Sequence, residues 1–573
     1  MKNLLNKNMK ISWKKEIKKT QKITNQEIID LILKNREIND EKEFLKPKNP
    51  FEITLKDFGL DTEFKKVIII LQSIKKNNQT IVVYTDYDAD GITGGAILWE
   101  TLHNLGFKVM PYVPDRKTEG YGFSKKGIDN IKKLYDPTLV ISVDHGITKV
   151  KEVEYANKLG IQVIITDHHI KQKDIPKKAK AIFHIPALSG SGVSYFFSKE
   201  IFKHFCLPHT ECAKVANNFK NDYLALASIG TIADMVPLIG PSRSIVKYGL
   251  ETFPKIKRFG IRHILKEAGI EDKPITPYDV GFIIAPRINA VGRLESAIDA
   301  LRLLCTTNED RARKLAHKVG QTNKNRQDLV KESVAEAEKI IGPEPKNKII
   351  ILTSDRWNEG IIGLIASKMV EKYYRPTIVL TKNDGSYKAS ARSIPSFHIT
   401  DFLVGLKKYL VDVGGHKQAA GFTIEENKLA DFIKSAEKKS NRLIDQTDLE
   451  KKIEVDLKIP LFKINISLAK KIEELAPFGI GNPQPTFVSS GEIIDAQLFG
   501  KQNNHLKIFI KQNSQESKIY DLGSTIEFIG FFQADKFSQL SRGKTVQIIY
   551  NLDINRWNGK ESLRGKINQL LIL

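Results

Sequence analysis

Continuous apolar runs alternating with amphipathic stretches set the rhythm of the first part of the chain. TIVVYT (Thr80–Thr85), TLVISV and IQVIITD are largely apolar runs, the pattern of strands buried on both faces, and FKVMPYVP is a further strand of the series. Between them ITGGAILWETLHNLG and TKVKEVEYANKLG carry helical spacing and end in a glycine. That alternation predicts a parallel, doubly wound sheet. Upstream, ITNQEIIDLILKNREINDEKEFLKP predicts one or two short amphipathic helices ending before Pro47. From 217 to 341 the pattern is mostly helical, and NEDRARKLAHKVGQTNKNRQDLVKESVAEAEKII predicts one long helix, broken by GPEPKN. A second strand–helix–strand segment follows in KIIILTS, IIGLIASKMVEKYY and PTIVLT. Past residue 450 short strands return (EIIDAQLFG, HLKIFIK, TIEFIGFF, TVQIIYNLDINRW) and predict a small OB-like β-barrel.

The expected fold class is therefore α/β: a parallel-sheet lobe joined by a long helix to a smaller α/β lobe, with a C-terminal OB-like barrel. The expected division is an N-terminal helical segment (1–50), a catalytic domain (51–250) and a helical region with the connecting helix (251–343). A smaller α/β domain (344–450) and an OB-like nucleic-acid-binding domain (451–573) complete it.

Composition adjusts this picture in two places. A chain of 573 residues exceeds one core, so about three to four domains are expected. A net charge of +23 suits a partner carrying many phosphates or an anionic membrane surface, although heavy lysine, isoleucine and asparagine usage accounts for part of it. The three cysteines, Cys206, Cys212 and Cys305, form no metal spacing and no even disulfide set, which implies a reducing cytoplasm. MKNLLNKNMKISWKK has no apolar signal core, and no segment reaches the ~18 uninterrupted apolar residues of a membrane span.

The candidate chemistry lies where apolar runs stop. TIVVYT is followed by Asp86, Asp88 and Asp90, spaced by two, with Gly91 next. In a strand these three carboxylates would share one face, where like charge and desolvation oppose ionisation. DYDADG also begins like an EF-hand loop, but the twelfth position is Ile97 rather than glutamate and a strand precedes it, so that reading fails. TLVISV ends in Asp144, IQVIIT in Asp167, His168 and His169, and ASIGTIA leaves Asp234. Parallel sheets build sites at the carboxyl ends of their strands, so these four segments are expected to converge on one crevice. Carboxylates with imidazole favour Mn²⁺ or Mg²⁺ over zinc, and a shared aspartate would bridge two ions. A lone strand-end aspartate is more often a cap, and Asp167 could act in that way. Adjacent histidines in an extended chain face opposite sides, which makes His168 the expected ligand and His169 a supporting or substrate-facing group. His145 is expected in a local turn or beside the ligands.

DYDADG, VDHG, DHH and GTIADMVPL resemble the first four motifs of the DHH phosphoesterase superfamily. VPDRKTEGYG, APRINAVGRLE, WNEGIIGLIASK, SARS, GGHKQAAGF, PFGIGNPQPTF and NRWNG resemble signatures of its RecJ branch, single-strand-specific 5′→3′ DNA exonucleases. The likeness runs from about Trp13 to the end. It implies DHH, DHHA1 and OB domains, two Mn²⁺ or Mg²⁺ ions and single-stranded DNA as substrate. It also implies a helicase and a single-strand-binding protein as partners, a monomer, and a role in DNA repair and recombination. Carried over by position, Asp88, Asp90, Asp144, His168 and Asp234 hold the metals, while Asp86, Asp167 and His169 support catalysis. Arg116, Ser390 and Arg392 take the 5′-phosphate, and Tyr121 stacks on the terminal base. Arg287, Asn289 and Arg293 of APRINAVGRLE, with Gly414, Gly415 and His416, contact the strand. Local turn and packing needs account for the glycines of GGHKQAAG nearly as well. Asn358, His145 and FHIP (183–186) depart from the family pattern. A phosphodiesterase for short RNA or cyclic dinucleotides is the alternative within the superfamily, and an inactive replication scaffold is the non-enzymatic one.

Overall fold

The computed structural model describes residues 9–18, 21–116, 118–120, 122–206, 210–511 and 525–573. They divide into two compact units, one of Ile38–Asn325 with Leu475–Pro483, the other of Met1–Glu37, Arg326–Glu474 and Gln484–Leu573. No described helix is long and apolar enough to cross a membrane.

The N-terminal stretch, expected to be helical, opens on strand β1 (Met9–Glu16) before its helices Asn25–Asn35 and Glu41–Leu45. Alternation in MKISWKKE is weak, and the strand is made by its partner, a parallel pairing that sequence alone does not display.

In the first unit β2 (Ile81–Thr85), β3 (Val109–Tyr112), β4 (Leu139–Val143), β5 (Gln162–Asp167) and β6 (Ala181–His184) form one parallel sheet in the order β3-β2-β4-β5-β6. Every residue of β2 and β4 is buried, as their unbroken apolar runs require. β6 is the strand the pattern did not predict, because four residues with two half-buried positions give little signal. One face of the sheet packs Ile81, Val83 and Ile141 against Ile97, Phe196 and Leu226 of the flanking helices. The strand order reverses between β2 and β4, which opens a crevice at their carboxyl ends.

The second unit holds two sheets. β7 (Ile350–Thr353), β8 (Thr377–Asn383), β9 (Ser386–Arg392), β10 (Leu410–His416) and β11 (Ala419–Glu425) run in the order β10-β11-β9-β8-β7, parallel only at β7–β8. β12 (Lys451–Lys458), β13 (Thr486–Phe499), β14 (His505–Lys511), β15 (Ile526–Gly530), β16 (Thr545–Trp557) and β17 (Lys560–Ile572) form the last, with β1 beside β12. β13 pairs with both β14 and β16, and β15 and β17 complete a closed circuit of pairings. The predicted long helix is continuous from Glu309 to Ile341.

Cys305 is free, but Cys206, the C-cap of the helix Gly190–Phe205, is disulfide-bonded. The reading of no even disulfide set, and the reducing surroundings drawn from it, did not foresee this bond, since an odd count does not prevent one pair from forming.

Candidate metal centre

Register builds the site. Thr85 pairs with Val143, Val143 with Thr166, and Asp167 with His184, so Asp86, Asp144 and Asp167 emerge in one row at the sheet's edge. Asp86, Asp90, Asp144 and Asp167 are all buried.

The aspartate triplet is not a strand face, which corrects the sequence reading. β2 stops at Thr85, and Asp88 is the N-cap of the helix Ala89–Asn104, accepting hydrogen bonds from the backbone N–H groups of Asp90 and Gly91 at 3.0 Å. Asp90 lies in the first helical turn, and its two oxygens accept from Gly190 N–H (2.6 Å) and Ser191 N–H (2.9 Å), the first turn of another helix. A strand-to-helix turn therefore brings the three carboxylates together, and amide donors partly satisfy them. A Cβ at Gly91 would stand 2.7 Å from Asp86, so only glycine allows the turn to close this tightly.

Asp144 adopts φ +68°, a left-handed conformation uncommon for a residue with a side chain. Its backbone N–H donates to Thr166 O at 3.0 Å. Asp234 is not at a strand end, as had been expected, but is the C-cap of the helix Asp222–Ala233. The negative pole of that helix adds to the local charge, so Asp234 is placed where an anion alone is disfavoured.

His168 and His169 do not face opposite sides. The chain has left β5, their rings lie 4.6 Å apart, and both approach Asp144, at 3.1 Å for His168 Nε2 and 4.0 Å for His169 Nδ1. His168 Nε2 also lies 3.5 Å from Asp234 and 3.9 Å from Asp90. Asp167 orients the pair. It accepts from His169 Nδ1–H (2.8 Å), from the N–H groups of His168 and His169, and from Ile147 N–H (2.8 Å).

The electrostatics separate two classes of carboxylate. Burial, then Asp90, Asp88, Asp86 and Asp234, push Asp144 well above the carboxylate range, and burial with Asp90 and Asp88 does the same to Asp234. Asp88 is raised by burial and Asp90. Burial also opposes ionisation of Asp167, yet the His169 hydrogen bond and charge and the amide donors hold it below the usual range. Burial lowers the pKa of His168, whereas His169, despite burial, is pushed up to about 9 by Asp167. Two unit charges 4 Å apart interact by about 4 kcal/mol at an effective dielectric near 20, so such a cluster calls for cations.

The residues fit divalent metals. Ligand atoms of Asp86, Asp88 and Asp144, of Asp90, His168 and Asp234, and of Asp144, His168 and His169 form groups within 4.8 Å. Asp144 joins two of these groups. Asp144 Oδ1 and His168 Nε2 are buried and make no hydrogen bond, although only 3.1 Å separates them. Oxygen-rich donors with one or two imidazoles suit Mn²⁺ and Mg²⁺.

Around this cluster stand residues singled out in the sequence and others, Tyr87, His184 and Gly292, that were not. Tyr87 lies between Asp86 and Asp88 in the chain, with the Arg116 guanidinium 5.4 Å from its ring centre. Burial, against the pull of Arg116, pushes its phenol up to about 12. His184 Nε2–H donates to His169 O at 2.7 Å, so the histidine of FHIP, noted only as a departure, braces the DHH turn. Asn289 Oδ1 accepts Ala89 N–H at 2.7 Å, and Gly292 lets its helix approach Tyr87 O, where a Cβ would stand at 2.6 Å. Arg293 lies on the same helix, Ala285–Leu294. Arg287 donates to Ile283 O (2.8 Å) within its own helical segment. His145 is buried against Tyr84 and Phe123, and burial lowers its pKa to about 3. Tyr121 lies outside the described residues.

In the other unit Arg392 Nη1–H donates to Ser390 Oγ at 3.0 Å, and Gly363 packs against both side chains. Gly414 and Gly415 pair with Gly421 and Ala420 in the β10–β11 hairpin, and His416 with Ala419 beside its turn. Gly415 has φ +151°, and a Cβ there would meet Ala419 O at 2.3 Å, so a packing demand alone requires glycine. Asn358 Oδ1 accepts Gly360 N–H at 2.8 Å, a local turn ahead of the helix Ile362–Tyr373.

Three family models match: the DHH family, N-terminal domain, over residues 80–231, the DHHA1 domain over 346–441, and the RecJ OB domain over 455–569. The single-stranded-DNA-specific exonuclease RecJ of Bacillus subtilis is 33% identical over 86% of this chain, which spans 61% of that relative's length. RecJ of Thermus thermophilus is 30% identical, covering 86% of this chain and 69% of that protein, and RecJ of Haemophilus influenzae is 28% identical over 97% and 98%. Among solved structures, Thermus thermophilus RecJ in complex with Mn²⁺ superposes with a TM-score of 0.78 at 26% identity, covering 99% of this chain and 80% of that one. An exonuclease RecJ bound to manganese superposes with a TM-score of 0.58 at 31% identity, covering 67% and 95%. The chain belongs to the RecJ family of DHH phosphoesterases.

Proposed function

We propose that the protein is a metal-dependent exonuclease that hydrolyses single-stranded DNA from its 5′ end to 5′-mononucleotides, in DNA repair and recombination. The observation that carries the reading is the buried Asp–His cluster in which Asp144 belongs to two ligand groups. Asp88, Asp90, Asp144, His168 and Asp234 hold two Mn²⁺ or Mg²⁺ ions. When bound, the ions supply Lewis acidity for phosphodiester hydrolysis and offset the carboxylate charge. Asp86 supports the ligand wall, and Asp167 orients His169, whose other ring nitrogen donates a hydrogen bond to a phosphoryl oxygen.

Phosphate recognition falls to arginine, whose planar fork matches phosphate oxygens. Arg116 serves in the unit that holds the cluster, beside Tyr87, with Tyr121 as a stacking face. Arg287, Asn289 and Arg293 line the strand there. In the other unit Ser390 and Arg392 take phosphate, and Gly414, Gly415 and His416 admit the backbone. The functional division follows 1–50, 51–250, 251–343, 344–450 and 451–573. A monomer working with a helicase and a single-strand-binding protein completes the reading.

Digestion of single strands labelled at the 5′ or the 3′ end, with Mn²⁺ or Mg²⁺, tests the direction. Labelled 5′-mononucleotide is expected from the 5′ end at the earliest times. Release first from the 3′ end would overturn the assignment.

A further inference from the structure

Two large aromatic side chains stand in solvent on the helical segment that leads to the metal loop. Tyr278 is 65% and Phe282 68% exposed, and their rings stack on one another at 4.8 Å with 25° between planes. Single exposed apolar residues are ordinary, but a preformed pair of stacked rings is a flat surface of fixed orientation. The segment passes from Pro277–Asp279 through a π-helical turn at Val280–Ile284 into the helix Ala285–Leu294. Such turns are uncommon and gather at functional sites.

The positions Tyr278, Phe282, Pro286, Asn289 and Arg293 recur at spacings of four, four, three and four, which is one face of a helix. At one end of that face Asn289 accepts Ala89 N–H in the metal loop. Behind the aromatic end, the Gly281 position faces Ile232, two residues before Asp234. A rise of 1.5 Å per residue sets Phe282 about 10 Å along the axis from Asn289, a span of about two to three nucleotides.

We infer that Tyr278 and Phe282 form a base-stacking platform for single-stranded DNA on the 3′ side of the scissile phosphate. The inference rests on the nuclease reading and deepens it by naming where the strand is held before it reaches the ligands. Stacking accepts any base, which suits a strand read without sequence preference. Arg293, on the same face, supplies charge for the phosphate between platform and metal loop.

The test is binding of the full chain to a fluorescent oligothymidylate of about twelve nucleotides, without divalent metal so that nothing is cut. Changing both residues (Tyr278→Ala, Phe282→Ala) is expected to weaken binding by at least about tenfold. A dinucleotide, too short to reach the pair, is expected to bind both forms equally. Because both rings are exposed, the folded state should persist, and Phe282→Trp supplies a second readout: its fluorescence should be quenched by the oligonucleotide. Unchanged affinity together with an unquenched tryptophan overturns the platform and leaves the surface to a protein partner. Failure of the unaltered protein to bind or degrade single strands would overturn the nuclease reading itself, an outcome visible before any variant is made.

Discussion

At the scale of single residues, Asp144 concentrates the strain of the site. It combines a left-handed backbone, near-complete burial and membership of two ligand groups. Asparagine tolerates that backbone as well as aspartate does and removes one of the crowded charges. Asp144→Asn is therefore expected to abolish cleavage and weaken Mn²⁺ binding by calorimetry, while the metal-free protein melts at the same or a higher temperature. The sign with pH follows from the raised carboxyls. Their folded pKa exceeds the unfolded one, so the folded state holds protons that the unfolded chain releases, and metal-free stability falls as pH rises from the carboxylate range toward neutrality. The variant should show a shallower fall. A melting temperature well below that of the unaltered protein would mean that the Asp144 carboxylate is a structural rather than a ligand group. The aspartates and His168 were legible in the sequence because acid after a buried apolar run is chemically unusual. Their geometry was not, since the strand period does not hold beyond Thr85 or Asp167, where the backbone turns.

At the scale of elements, the site depends on the N-terminus of the helix Gly190–Phe205. Its first amides bind both oxygens of Asp90, and a Cβ at Gly190 would stand 2.4 Å from the Asp144 side chain. The approach gives the carboxylates the positive pole of a helix at contact distance. Gly190→Ala is expected to displace Asp144 and Asp90 from one another and weaken Mn²⁺ binding by about tenfold or more, with a smaller loss of overall stability. Calorimetric titration with Mn²⁺, alongside thermal melting, checks both, and unchanged metal affinity would show that the ligands tolerate the added methyl. No pattern in SGSGV marks this contact, because a glycine required by a distant backbone looks like any loop glycine. The same limit hid β6, β12 and β17, whose strands exist through their neighbours. By contrast β2, β4, β5 and the Glu309–Ile341 helix were readable, since burial on both faces or a long amphipathic period is written locally.

At the scale of the whole chain, sequence order and structural unit part company. Leu475–Pro483, far along the chain, belongs with Ile38–Asn325 rather than with the β-rich residues on either side of it. Arg243 holds it there. The fully buried guanidinium donates to the carbonyls of Leu475 and Ala476 at 2.9 Å and of Pro477 at 3.3 Å, its Nε–H donates to Phe44 O, and Phe44 packs against it at 3.7 Å. Leu238 N–H donates to Ile480 O at 2.7 Å, four residues along the chain from Asp234, so the anchored segment bonds to the stretch that follows the acidic cluster. Removing everything after about residue 455 to test the OB-like domain would therefore strip Arg243 of three acceptors and leave a buried charge unsatisfied, confounding lost DNA binding with lost stability. The point variant separates them. Arg243→Met is expected to lower the stability of the full chain by about 2–5 kcal/mol, because a thioether of similar length removes a donor from four carbonyls, of which Leu475 O and Pro477 O keep Asn482 Nδ2. Lysine should rescue little, since one ammonium cannot reproduce the planar fork that spans them. Urea unfolding measures the loss, and proteolytic cleavage within 475–483 should quicken in the variant. If stability and cleavage both stay as they were, the segment is held by its own turn, through Asn482 and its bonds to Leu475 O and Pro477 O, and Arg243 is not its anchor.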